Sequence, residues 1–233
     1  MDYTKSTILL VPGALQTSAC FDRLRPILEQ AGFPTVAGAL TSLNPSSPDD
    51  CTAAKDGRHL LDEFLLPLLD EGRDVLIFAH SFGGTCLSGA DLGLSRSVRA
   101  GMGLTGGVIG LVYMSFIPTM DGHSQFRSFG SIWPDNIMTD HPRQGLVSFD
   151  RISDTLFNDV EKAQADRYAE VMRPHSMKVI NTPVSKPLWQ DSAFEGRRMV
   201  IRTMMDATFL PPLQDMLIKA SGVAWKVVEL KAG

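Results

Sequence analysis

Cysteine is scarce in this 233-residue chain: Cys20, Cys51 and Cys86 form an odd, scattered set with no Cys-x-x-Cys spacing. A disulfide framework and a thiolate metal site are therefore not expected, and a reducing, cytoplasmic compartment fits best. Long apolar runs are also missing. The N-terminal stretch MDYTKSTILLVPG has an apolar run of only five residues before Pro12 and Gly13. That is too short for a signal peptide or a membrane span, and it reads as a buried strand. No excess of positive charge exists, since the formal net charge is −4. Nothing then draws the chain to nucleic acid or an anionic membrane. Repeats and low-complexity tracts are absent. The remainder, 44% hydrophobic and 21% charged, is an ordinary soluble composition, and the length suits one domain around one core.

Short apolar runs alternate with longer amphipathic stretches, the pattern of a parallel sheet covered by helices on both faces. Thr7–Val11, Pro34–Leu40, Asp74–Ala79, Val108–Phe116, Arg198–Thr203 and Ala224–Leu230 read as strands, giving at least six. Helices are expected over Ala19–Ala31, Thr52–Leu69, the small-residue stretch after Ser81 through about Gly93, and Pro212–Ala220. Pro67 should distort the last turn of the second. Between residues 119 and 195 the period-2 runs vanish, which predicts a mostly helical cap with one helix near Asp159–Met172. The expected division is core 1–118, cap 119–195 and core 196–233.

The segment LIFAHSFGG places Ser81 where a buried strand meets a helix, with Ala79 and Gly83 two residues to either side. This is the nucleophile-elbow pattern with alanine for the first glycine. Small flanks are required because the turn is so sharp that a bulky neighbour would strike the next strand or helix. The serine oxygen then sits at a helix N-terminus, where free N–H groups favour negative charge. A plain serine N-cap is the structural alternative. Pro12-Gly13-Ala14 follows the first strand, where the N–H of Ala14, with that of Phe82, could bind a tetrahedral oxyanion. A simple glycine turn is the alternative there.

On these residues the sequence resembles the α/β-hydrolase superfamily, and within it the small branch of plant methylesterases, hydroxynitrile lyases and their fungal and bacterial relatives. The matching stretches are ILLVPGA, VLIFAHSFGG, GGVIGLVYMSFIP, TPVSKPLWQDSAF and VIRTMMDATFLP. The resemblance implies Ser81 as nucleophile, Asp206 as triad acid, and Ala14 and Phe82 as oxyanion donors, with no metal and no cofactor. Asp206 to Pro211 holds one residue more than the usual spacing, so Asp121 stands as the alternative acid, and helix capping is a structural role open to Asp206. In such proteins a segment like VVELKAG is followed at once by the triad histidine and then a final helix. The five histidines here (His59, His80, His123, His141, His175) all precede Asp206. Either the histidine and the helix follow Gly233, as expected from the apolar sheet face that the helix would cover, or the protein ends there and is a poor hydrolase. His80 should pack against the sheet, and the others should be surface residues.

The cap aromatics Phe126, Phe129, Trp133, Phe149, Phe157, Tyr168 and Trp189 would roof the serine or form a small core of their own. With Leu15, Phe116, Trp189 and Met205 as candidate pocket residues, the partner expected is a small-molecule apolar substrate. A homodimer is an assembly this reading leaves open. The predicted activity is hydrolysis of a carboxylic ester. A lyase or cyclase on the same fold, or a non-catalytic ligand-binding protein, are the alternatives.

Overall fold

Unbroken apolar runs become strands buried on both faces. In the computed structural model, which describes residues 5–89 and 91–233, the strands are β1 (Thr7–Val11), β2 (Thr35–Ala37), β3 (Asp74–His80), β4 (Gly107–Met114), β5 (Ile137–Thr139), β6 (Leu146–Phe149), β7 (His175–Ser176), β8 (Arg198–Thr203) and β9 (Lys226–Leu230). The helices are α1 (Leu24–Gln30), α2 (Ala53–His59), α3 (Leu66–Asp70), α4 (Phe82–Cys86), α5 (Arg96–Gly101), α6 (Gln125–Ser128), α7 (Ile152–Leu156), α8 (Lys162–Val171), α9 (Met177–Asn181) and α10 (Pro211–Ala220). Six strands form one all-parallel sheet in the order β2-β1-β3-β4-β8-β9. Ile8 and Leu10 pack with Phe21, Leu24 and Leu28, whereas Leu9 and Val11 join the larger core of Leu60, Leu69, Phe82 and Tyr113. Successive strand residues point to opposite faces, so the two clusters lie on opposite sides of β1. Each such buried aliphatic side chain contributes about 1.5–3 kcal/mol.

The long helix expected over 52–69 is present in three parts. A wide π-type stretch, Leu60–Leu65, separates α2 from α3, whose first turn contains Pro67. Proline has no N–H to bond four residues back, and the widened turn absorbs the break before Pro67 instead of after it. The helix after Ser81 is much shorter than expected. It ends at Cys86, where Leu87 turns to ψ 104°, and Gly89 and Gly93 then take φ of +111° and +62°. Left-handed glycines cannot sit inside a right-handed helix, so the small residues that looked helical specify a loop. Ala90, within that predicted helix, lies outside the described residues, as do the first four residues of the N-terminal stretch.

Segment 119–195 comes between β4 and β8 and is less helical than expected: α6 to α9 are joined by long loops, with α8 close to the helix foreseen near Asp159–Met172. It also holds a three-stranded antiparallel sheet, β5-β6-β7, that the sequence pattern did not reveal. Its strands are two to four residues long, too short for alternation to register. At the far edge of the main sheet every residue of β9 is exposed, Val227, Val228 and Leu230 included.

Candidate active site

Parallel strands deliver their C-terminal ends to one edge of the sheet, and the candidate residues collect there. Ser81 directly follows β3 with φ 48° and ψ −125°, a conformation that costs a non-glycine residue on the order of 1–3 kcal/mol. Two bonds hold it: the Ser81 N–H donates to the Met114 carbonyl (2.9 Å), and the Ser81 carbonyl accepts from the Gly84 N–H (3.0 Å). Gly83 lets α4 lie against β1, since a Cβ there would be 2.3 Å from the Pro12 carbonyl oxygen. Gly13 plays the reciprocal part, its missing Cβ falling 3.1 Å from the Cβ of Ser81. The serine turn and the loop after β1 are therefore in mutual contact.

That contact places two amides beside the serine. Phe82 opens α4, so its N–H has no intrahelical acceptor. Ala14 lines the same cavity as Ser81, and its N–H has no acceptor among the described residues. The ring of Phe82 is buried away from the cavity, edge-on to His175 at 5.1 Å between centroids. Gln16 braces the loop: its Oε1 accepts from the Gly13 N–H (3.1 Å) and meets His80 Nδ1 at 2.8 Å. An oxygen that already accepts there requires Nδ1 of His80 to carry the proton, leaving Nε2 as an acceptor.

Asp206 lies three residues beyond β8 and is oriented by three donors. Its Oδ2 accepts from the Thr203 hydroxyl (2.9 Å), and its Oδ1 accepts from the N–H groups of Thr208 (2.9 Å) and Phe209 (2.7 Å). The second and third bonds cap the turn before α10, while the carboxylate still faces the cavity beside Ser81. Asp121, the alternative acid, accepts from the Lys186 N–H (2.8 Å) and is not on the cavity wall.

The cavity has a volume of about 180 Å³ and runs from Ser81 and Asp206 to Phe129, Trp133, Ile137 and Phe149. A model of the alpha/beta hydrolase family matches residues 8–233. The chain belongs to that family. Among curated proteins it is similar to the alpha/beta hydrolase nvfD of Aspergillus novofumigatus, 27% identical over 188 residues, covering 79% of this chain and 73% of that one. It is also similar to the "Probable hydrolase R7" of a Phoma species, 24% identical over 238 residues and covering 99% and 91%. Among solved structures, the methylesterase protein MES16 from Arabidopsis shares the fold, with a TM-score of 0.70 at 18% identity over 98% of this chain and 90% of that one.

Within this alpha/beta hydrolase, Leu15 lines the cavity, strained at φ 64°, whereas Phe116, Trp189 and Met205 are not on its wall. Phe116 and Trp189 are instead buried in an aromatic cluster with Tyr113 and Trp225. Met205 is 44% exposed, because the turn that directs Asp206 inward sends its neighbour out. The histidines differ from expectation as well. His80 lines the cavity, and burial depresses its pKa from 6.5 to about 4, partly offset by the charge of Asp206. His175 is wholly buried, its Nε2 3.0 Å from the Ser42 hydroxyl, and burial lowers its pKa to about 4 against the charge of Asp56. Among the described residues, no imidazole nitrogen is hydrogen-bonded to Ser81 or Asp206. Gly233, joined through its N–H to Asp159 (2.9 Å), lines the cavity with them. Gln16 and Gln125, both on the wall, escaped the sequence reading. Gln16 had a signal in its position two residues after Ala14; Gln125 had none.

Proposed function

We propose that the protein is a serine-dependent hydrolase of carboxylic esters whose acyl and alcohol groups are small or medium and mainly apolar. The observation that carries this is the strained Ser81 facing an apolar cavity with two unengaged N–H groups beside it. Strain of that kind persists only where the surroundings enforce it, and a plain N-cap serine needs none. In the reading, Ser81 Oγ attacks the ester carbonyl carbon while an imidazole takes its proton. The N–H groups of Ala14 and Phe82 hold the developing oxyanion. The imidazolium gives its proton to the departing alcohol, and water releases the acyl group by the same steps reversed. Asp206 holds the imidazole in the required tautomer. Among the described residues the imidazole on the cavity wall is that of His80, whose Nδ1 is committed to Gln16. Segment 119–195 acts as the cap, contributing Phe129, Trp133 and Phe149 to the roof.

The experiment is ester hydrolysis by the intact protein across a chain-length series of aryl esters, compared with Ser81→Ala and Asp206→Asn. Ser81→Ala should lower kcat by about 10⁶ and Asp206→Asn by about 10⁴. Turnover that survives Ser81→Ala refutes the assignment. Release of a cleaved carbonyl compound without any acid product would favour the lyase reading.

A further inference from the structure

Most polar groups on the cavity wall are committed to protein partners. Gln16 is held by Gly13 and His80, Ser115 by the Thr203 hydroxyl at 2.8 Å, and Ser148 by His141 Nδ1 at 2.8 Å. The hydroxyls of Thr155 and Thr208 each donate to a backbone carbonyl at 3.0 Å, and Asp206 has its three donors. Among the described residues, the polar side-chain groups left without a protein partner on the wall are the Ser81 hydroxyl, Nε2 of His80, the indole N–H of Trp133 and the Gln125 amide.

Gln125 is the first residue of α6 and only 6% exposed, and its Oε1 is completely buried without a hydrogen-bond partner. Its amide nitrogen has no acceptor among the described residues either. The same wall carries the rings of Phe129 and Trp133 and the side chain of Ile180. A buried amide oxygen without a donor is destabilising in the free protein, and a ligand that brings a donor relieves that cost on binding. An ether or carbonyl can only accept, so neither satisfies Oε1. A hydroxyl donates to Oε1 and can accept from Nε2 at once.

We infer that Gln125 is a specificity-determining residue that receives a hydroxyl group carried by an otherwise apolar ligand, at a point on the wall distinct from Ser81. The ester class of that ligand rests on the function proposed above; the hydroxyl contact does not. The substrate class is therefore an alcohol- or phenol-bearing ester, with its hydroxyl directed at the cap and its ester carbonyl at Ser81.

The test compares equilibrium binding of 2-naphthol and 2-methylnaphthalene, which differ by a hydroxyl for a methyl group, to the wild type, Gln125→Leu and Gln125→Met. The wild type should bind the naphthol on the order of 10- to 100-fold more tightly, and both variants should bring that ratio to within about twofold. Because each variant removes an unpartnered amide, the melting temperature should hold or rise. A purely structural glutamine would lower it and leave the ratio unchanged. Equal affinities in the wild type, or a ratio that survives both substitutions, overturn the inference. Loss of ester turnover with the naphthol preference intact would sink the ester reading alone.

Discussion

Replacing Gly83 by alanine should damage both stability and the reactive geometry. The new methyl group would lie 2.3 Å from the Pro12 carbonyl oxygen and 2.8 Å from Val11 Cγ1. Neither can yield cheaply, because Val11 ends a strand paired on both sides, with Ala79 as its partner in β3. Overpacking of this kind costs about 1–3 kcal/mol, and an immovable backbone oxygen places Gly83→Ala near the top of that range. For a domain of this size, a loss of about 3 kcal/mol corresponds to a fall in Tm of about 6–12 °C. Relief comes only by moving α4 away from the loop after β1, which separates the N–H of Phe82 from that of Ala14. Losing one such donor costs about 10²–10³ in kcat. The control is Gly101→Ala in α5, where a Cβ meets nothing within 4 Å and φ is not positive. That change should stabilise by up to about 1 kcal/mol and leave turnover unaltered. Urea unfolding and aryl-ester kinetics on both variants decide the matter. Wild-type stability and activity in Gly83→Ala would show that the interlock between the serine turn and the loop after β1 does not exist.

Asp56 is fully buried and accepts from the N–H and hydroxyl groups of both Thr41 and Ser42, so Asp56→Ala should destabilise by about 3–5 kcal/mol in urea unfolding; a loss under about 1 kcal/mol would refute that. His80 and His175, both lowered by burial to about 4, stay neutral in the folded protein while the unfolded chain takes up protons below pH 6.5. The unfolded state binds more protons in that window, so stability should fall as pH drops from 7 to 5 by about 2 kcal/mol per histidine; a flat profile over that range would contradict it.

The main sheet was legible because its strands are buried on both faces and therefore read as continuous apolar runs bounded by Pro, Gly and charge. TILLV and DVLIFA could form little else at those lengths. The serine turn was legible because its geometry demands small residues at fixed offsets, and the resemblance extended that reading to Asp206. What escaped depends on distant contacts. Phe116 looks like a pocket residue by its place near a strand end and Trp189 by its place in the cap, yet both turn inward to pack against Trp225. The short sheet β5-β6-β7 has too few residues to show alternation. His175 sits in a cap segment rich in polar residues, and only the fold carries it to Ser42 and the buried carboxylate of Asp56. Gln125 has no local signature at all: its meaning lies in the partners it lacks.

The most direct measurement is mass spectrometry of the intact protein after exposure to a fluorophosphonate, with the modified peptide sequenced. A single adduct should form on Ser81, at a rate that collapses in Ser81→Ala and falls sharply in Asp206→Asn. A folded protein that remains unmodified at Ser81, or takes the phosphonate on another residue, would contradict the assignment of this serine as the nucleophile.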